Sequence, residues 1–441
     1  MARKMKDSGI EWIGEIPEGW EIVKIKYGVT KVGSGKTPSG GAEVYTDCGV
    51  LFLRSQNIYD CSLVLDNPSY ISYETDLTMK STRILPNDIL LNITGASIGR
   101  CCVVPETLGP ANVNQHVCII RTNPEFFLPK FMQYFWVSHL GRYAISLFQT
   151  GGNREGLSFD AIRNTPIPYI SIPEQSKIIT YLDSECSRID VMLSKTRSSI
   201  EEYKKLKQAV ITQAATKGVR GEREMKDSGV EWIGEIPKEW AVSPMKHFID
   251  ILPGYAFSSD DFCIEEGIPL LRGINVGVNE IRWDETVRWN HSISKQLESF
   301  FLKENDLVVG LDRPWISDGT RVAFITKKDL PCLLLQRVCR IRTRCNFDIR
   351  WIYYWLSGSS FKDSLSTETT GISVPHISTK QIEQFIVAFP NQLEQTQICN
   401  YLDAKCAEID GLIAKKEQLV KELENYKKSL IYEVVTGKRE V

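Results

Sequence analysis

Several things are missing from this 441-residue chain, and each absence removes a class of function. No apolar run approaches the roughly 18–20 residues that a membrane-spanning helix needs. The opening MARKMKDSG has none of the apolar stretch of a secretory leader. A cytoplasmic protein with no membrane partner is expected. The twelve cysteines contain no CxxC pair, and the five histidines (His116, His139, His247, His291, His376) are scattered. Neither a disulfide framework nor a zinc site is expected, only reduced thiols. Excess positive charge is missing too, since the formal net charge is −2. Residues 21–172 hold 13 Lys+Arg against 12 Asp+Glu, and residues 241–392 hold 17 against 18. A protein that grips nucleic acid by charge alone is basic. Any DNA contact must therefore come from local clusters, or a partner must supply much of the phosphate grip.

Catalytic signatures are missing as well. Val32-Gly33-Ser34-Gly35-Lys36-Thr37 has the look of a phosphate-binding loop, but the required earlier glycine is Thr30. Pro38 and Gly40-Gly41 then interrupt the helix that would hold the phosphate. What remains is a polar loop whose Lys36 and Thr37 suit phosphate or base contacts. Asn67-Pro68-Ser69-Tyr70 and Asn123-Pro124-Glu125-Phe126 each lack the second proline of an amino-methyltransferase motif. No strand ends in an acidic, glycine-rich turn for a methyl-donor cofactor. No nuclease, nucleophile-elbow or zinc-protease pattern occurs. The chain reads as non-catalytic, with no cofactor and no metal of its own.

What is present is a duplication. MKDSGIEWIGEIPEGW (5–20) returns as MKDSGVEWIGEIPKEW (225–240), identical at 13 of 16 positions. PEQSKIITYLDSECSRIDVMLSK (173–195) returns as LEQTQICNYLDAKCAEIDGLIAK (393–415), also 220 residues on. The residues between have diverged. The expected organisation is a lead (1–20), a first variable domain (21–172), a helix with linker (173–224), a second lead (225–240), a second variable domain (241–392) and a second helix (393–441). A fixed frame holding two different fillings is a scaffold that presents two readers.

Within the variable domains, short apolar runs such as ILPNDILLNI, VCIIRT and DLVVGL are bounded by Gly, Pro, Asn and Asp, as strands are. PKFMQYFWVSHLGRYAI and DIRWIYYWLSGSSFKDSL each read as one helix, so the domains are α+β. The shared tails carry a heptad seam. Leu182, Ile189, Tyr203 and Val210 form one row with Leu402, Ile409, Leu423 and Leu430 as its repeat. Cys186, Leu193 and Ile200 form the second row, repeated as Cys406, Ile413 and Val420. Both copies break the seam at Thr196/Lys416 and Lys207/Lys427. Matched seams of matched length predict an antiparallel coiled coil of two long helices. If the junctions after each helix are equivalent, the chain closes into a pseudo-twofold ring with its ends adjacent.

Some residues suit DNA reading. Arg340, Arg342 and Arg344 alternate, so on a strand they would line one face; a solvated sheet face explains them equally well. The loop Gly310–Ile316 offers Arg313 and Trp315, and Gln149–Arg154 offers Asn153 and Arg154. A sparse framework aligns across the domains: Arg54 with Arg272, Asn87-Asp88 with Asn305-Asp306, Gln115 with Gln336, and Cys118 with Cys339. The Asn-Asp pairs read as fold-keepers. Arg54 and Arg272 remain open between fold-keeping and reading.

The leads, the EQ…YLD…ID helix starts and the endings Ala215-Thr216-Lys217-Gly218 and Val435-Thr436-Gly437-Lys438 resemble the specificity subunits of type I restriction–modification systems. GYAFSSDDF, LLRGINV and LDRPWISDG of the second domain resemble that family's target-recognition domains. The resemblance implies two such domains held apart by the helix pair, each reading half of an asymmetric bipartite site on double-stranded DNA. It implies two methyltransferase subunits, which would bind S-adenosylmethionine and methylate adenine, and restriction subunits that translocate and cleave. A two-headed protein adaptor and an enzyme with an unrecognised site are the alternative readings.

Overall fold

The structure, a computed structural model, describes residues 3–150, 156–316, 319–344, 347–366 and 376–441. It divides into two compact units, Met1–Arg197 with Glu417–Val441, and Ser198–Lys416. Both are mixed α/β and repeat one plan.

Each lead is a β-hairpin, Met5–Asp7 against Glu15–Pro17 and Met225–Asp227 against Glu235–Pro237, in the same register. The tryptophan that follows is its anchor. Trp20 and Trp240 are each 1% exposed. Burying an indole withdraws on the order of 200 Å² from water, on the order of 5 kcal/mol before ordering costs. The indole N–H still needs an acceptor. Trp20 donates to Glu174 at 3.0 Å and Trp240 donates to Glu394 at 3.1 Å. Arg3 and Arg223 brace the same two carboxylates at 2.5 and 2.6 Å.

Those glutamates open the two long helices, Ile172–Lys217 and Gln392–Val435. At 1.5 Å per residue the first, of 46 residues, spans about 69 Å. Each helix stops at a glycine in the left-handed region, Gly218 (φ 75°) and Gly437 (φ 71°). A Cβ on Gly437 would sit 2.9 Å from the Trp20 ring, and one on Gly218 would sit 3.2 Å from the Trp240 ring. Each lead tryptophan is thus held between the start of one long helix and the end of the other.

The helices run antiparallel within each unit. In the first, Lys427 pairs with Asp190 at 2.6 Å and Arg197 with Glu424 at 2.6 Å. In the second, Lys207 pairs with Asp410 at 2.7 Å and the Lys416 ammonium lies 5.6 Å from the Tyr203 ring centroid. The lysines that interrupt the heptads therefore each meet a partner on the opposing helix. Exposed pairs contribute little stability, typically under about 1 kcal/mol, but polar seam positions fix register. The seam itself is shielded: Leu182, Ile189, Leu193, Ile200, Leu402, Ile409 and Leu430 are buried, and Tyr203, Val210, Ile413, Val420 and Leu423 half-buried.

Each variable domain has an antiparallel four-stranded sheet in the same spatial order. In the first unit it runs Cys101–Val103, Ile89–Asn92, Val117–Thr122, Val29–Ser34, and in the second Val322–Phe324, Leu307–Gly310, Val338–Thr343, Ile249–Pro253. A second sheet contains one parallel pair in each unit, Val50–Leu53 with Ala111–Val113 and Ile268–Leu271 with Leu333–Leu334. The domain's first and last strands zip together, Glu21–Lys24 with Pro166–Tyr169 and Ala241–Pro244 with Ile386–Phe389. The single helix expected in each domain is instead two, Pro129–Val137 with His139–Phe148 and Ile349–Ser357 with Ser359–Ser366. The break lies at Ser138, whose extended backbone and Oγ, accepting from Gly141 N–H, cap a new helix. Gly358 is extended in the same way.

Candidate nucleic-acid interface

The residues expected to read DNA separate into groups. Asn153 and Arg154 lie outside the described residues. Lys36 is exposed and Thr37 half-buried, just beyond Gly35. Gly35 has no room for a side chain, because a Cβ would meet the Val113 carbonyl at 1.9 Å. Gly254 meets Leu335 O at 2.1 Å in the same way. Arg54 and Arg272 stand at matching turns. Each backbone N–H donates to an asparagine three residues on, Asn57 at 2.9 Å and Asn275 at 3.0 Å. The Arg54 guanidinium lies over the Tyr45 ring, and Arg272 donates to the Glu285 carbonyl.

The three arginines expected on one strand face do not share it. Strand Val338–Thr343 ends before Arg344, which is exposed beyond it. Arg340 is buried and gives Nη2 to Asp250 at 2.8 Å. Burial, then the charge of Arg342, pulls Arg340 below the usual guanidinium range. Arg342 forks onto Asp306 through Nε at 2.5 Å and Nη2 at 2.8 Å, which raises its pKa. Asp306 also accepts from Lys303 N–H at 2.7 Å. The same fork recurs in the first domain, Arg121 on Asp88 at 2.7 Å with Leu85 N–H donating to that carboxylate at 2.7 Å. Arg342 is therefore a strut within its domain. Trp315 is likewise less of a displayed tip than its loop suggests, since it is half-buried with its ring 6.2 Å from Phe361. Arg313 is exposed, at φ 45°, close enough for its charge to act on Arg321. Burial first, then Arg313 and Arg282, pulls Arg321 below its ordinary value.

Both units build a corner alike that no motif in the sequence marks. In the first, Gly35 N–H donates to Val117 O at 3.0 Å, Leu157 N–H donates to Ile93 O at 2.9 Å, and Thr94 bridges Gly156. In the second, Gly254 N–H donates to Val338 O at 2.9 Å, Ile377 N–H donates to Leu311 O at 2.9 Å, and Asp312 bridges His376. On this shared backbone the side chains differ. Thr94 Oγ1 lies 2.6 Å from His116 Nδ1, and Gln115 Nε2 lies 3.2 Å from His116 Nε2. Asp312 Oδ1 lies 2.6 Å from His376 Nδ1 and accepts from Arg337 Nη1 at 3.4 Å. The only signal in the sequence was the aligned Gln115/Gln336, which each variable residue His116/Arg337 directly follows. Among the described residues no group of His, Cys, Asp and Glu could hold a metal ion, and no helix is long and apolar enough to cross a membrane.

The model of the type I restriction modification DNA specificity domain matches the chain twice, over residues 17–202 and 237–422. The chain belongs to this family. It is a two-domain specificity subunit of the type I restriction–modification kind. It is similar to the MjaVIII specificity subunit of Methanocaldococcus jannaschii, 26% identical over 96% of this chain and 93% of that one. The Escherichia coli EcoAI specificity subunit is 35% identical over 42% of this chain and 32% of its own length. Two solved chains share the fold. One comes from a study of complex assembly and conformational transition of the type I R-M system, with TM-score 0.72, 17% identity, and 95% of this chain and 98% of that one covered. The other is the HsdS subunit of Thermoanaerobacter tengcongensis, with TM-score 0.51, 16% identity, and 96% and 98% covered. The specificity subunit's repeated frame accounts for the two matched segments, each of which runs from the proline of a lead into a long helix.

Proposed function

We propose that this subunit is the non-catalytic reader of a methylating and restricting complex in the cytoplasm. Each variable domain recognises one half of an asymmetric bipartite site in double-stranded DNA. The observation that carries this reading is the combination of one backbone frame, built twice, with different polar side chains on it, half-buried or exposed. The near balance of charge in each domain leaves much of the phosphate grip to partners.

Two methyltransferase subunits, holding S-adenosylmethionine, sit on the helices and modify adenine; restriction subunits join them to translocate and cleave. Apolar side chains left exposed along the helices support helix docking, among them Val191, Met192, Leu419 and Tyr426 in the first unit and Leu206 in the second. The test is modified-base sequencing of DNA from cells making this chain with a methyltransferase subunit that it assembles with. The expected result is a split, asymmetric adenine-methylated motif of fixed gap that vanishes when the chain is omitted. Modification that persists unchanged without the chain would favour an adaptor that sets no specificity.

A further inference from the structure

Resting on that reading, we infer that Asp312, Arg337 and His376 in the second domain, and Thr94, Gln115 and His116 in the first, are the side chains that choose the bases. The corner they occupy is closed by the same backbone hydrogen bonds in both units, from Gly35 and Leu157 in one and Gly254 and Ile377 in the other. The glycine is obligatory on both sides, since a side chain would enter a backbone carbonyl. The residues that hold the frame are apolar in both copies: Ile93 and Leu311, Leu157 and Ile377, Val117 and Val338. Divergence falls on the neighbouring positions that are not fully buried, where Thr94 becomes Asp312, His116 becomes Arg337 and Gly156 becomes His376. Fixed geometry with exchanged donors and acceptors is what reading two different sequences requires, because base identity is a pattern of donors and acceptors at the groove edge.

The arginines of the second domain sort themselves accordingly. Arg340 is buried with Nη2 on Asp250, and Arg342 commits Nε and Nη2 to Asp306. Arg337 is exposed and, among the described residues, makes one long contact, 3.4 Å to Asp312, out of five N–H donors. Its backbone is held left-handed at φ 72°, a conformation that non-glycine residues adopt rarely and often at functional sites. Asp312 holds both Arg337 and His376, so the donors are oriented before DNA arrives. An arginine fork pairs with the O6 and N7 of guanine. The second half-site therefore contains a guanine read by Arg337, with Asp312 as a positioning residue. The first domain, which places a histidine there between Thr94 and Gln115, reads its half through hydroxyl, imidazole and amide groups in place of a guanidinium.

The test uses the assembled complex and the modified-base motif as its readout, with Arg337→Ala, Arg337→Lys and Asp312→Ala in one domain and the double exchange Thr94→Asp with His116→Arg in the other. Arg337→Ala relaxes one guanine-containing base pair of the second half by about tenfold to a hundredfold, leaving the first half and the gap unchanged. Arg337→Lys keeps the charge, loses the fork and relaxes the same base pair. Asp312→Ala weakens selection at that base pair to a smaller degree. The double exchange alters the first half alone. A split motif that depends on the chain but is untouched by all four changes overturns the inference while leaving the proposed function standing. Absence of any chain-dependent motif from the unaltered chain overturns both.

Discussion

Replacing Arg342 by alanine is expected to destabilise the second domain and leave its half-site unread only to the extent that the domain unfolds. The Asp306 side chain is 3% exposed and that of Arg342 is 34% exposed. Three donors meet the carboxylate: two from the guanidinium, at 2.5 and 2.8 Å, and the Lys303 amide at 2.7 Å. Removing the arginine leaves a buried negative charge with one amide. Breaking a fully buried pair costs about 3–5 kcal/mol. A third of the Arg342 side chain is exposed, which lowers the expected cost to about 2–3 kcal/mol. For a unit of this size that is a fall in Tm of roughly 5–10 °C. Asp306→Asn keeps an acceptor for Lys303 and removes the stranded charge, so the double variant should recover at least about 1 kcal/mol. Tryptophan fluorescence during thermal unfolding is a suitable assay, because seven of the ten tryptophans lie in residues 198–416. Arg121→Ala should reproduce the effect in the first unit, where Asp88 is 1% exposed. An Arg342→Ala chain that melts like the parent but reads a different second half-site would refute the reasoning and return Arg342 to the readers.

Three further outcomes are expected. Inserting four residues after Thr196 and four after Lys416 lengthens each helix by about 6 Å, which should widen the unread gap by one or two base pairs with both half-sites kept; altered half-sites at a fixed gap would contradict this. A circular permutant opened near the exposed Gly221, with the native ends joined, should fold with a cooperative transition, because Arg3 and Gly437 are docked on the first unit as Arg223 and Gly218 are on the second; loss of that transition counts against the closed chain. Burial pushes the Cys118 and Cys339 thiols up to about 12 from an ordinary value of 9.0. Below about pH 9 both are neutral whether the chain is folded or not, whereas between about pH 9 and 12 only the unfolded chain ionises there, so stability falls as pH rises. The double variant Cys118→Ala, Cys339→Ala should show a shallower alkaline decline in denaturant unfolding, and an unchanged slope would refute the assignment.

The frame was legible in the sequence because it depends on local, periodic or repeated features. Heptads predict the seam, and repetition of Asn87-Asp88 as Asn305-Asp306 marks a structural job that the Arg121 and Arg342 forks explain. Strand alternation gave the side on which Arg340 and Arg342 point, but not what meets them there. Asp250 arrives from the neighbouring strand Ile249–Pro253, and Asp306 from the turn before Leu307–Gly310. The same limit hid the corner, since Thr94 and His116 are 22 residues apart, and Asp312 and His376 are 64 apart, joined only through sheet register. The extra helix start at Ser138 was within reach, since serine is a favoured cap, but the aromatic-rich stretch Phe131–Val137 before it argued for continuity.

The most direct test of the account is to give one chain two copies of the same reader. Residues 241–392 are replaced by a second copy of residues 21–172 between the existing lead and helix, and the adenine-methylated motif of the resulting complex is sequenced. A split motif is expected whose two halves carry the same recognition sequence, that of the first domain, at an unchanged gap. A folded, assembled complex that still selects any base of the former second half would contradict it, because specificity would then reside in the frame and not in the domains it holds.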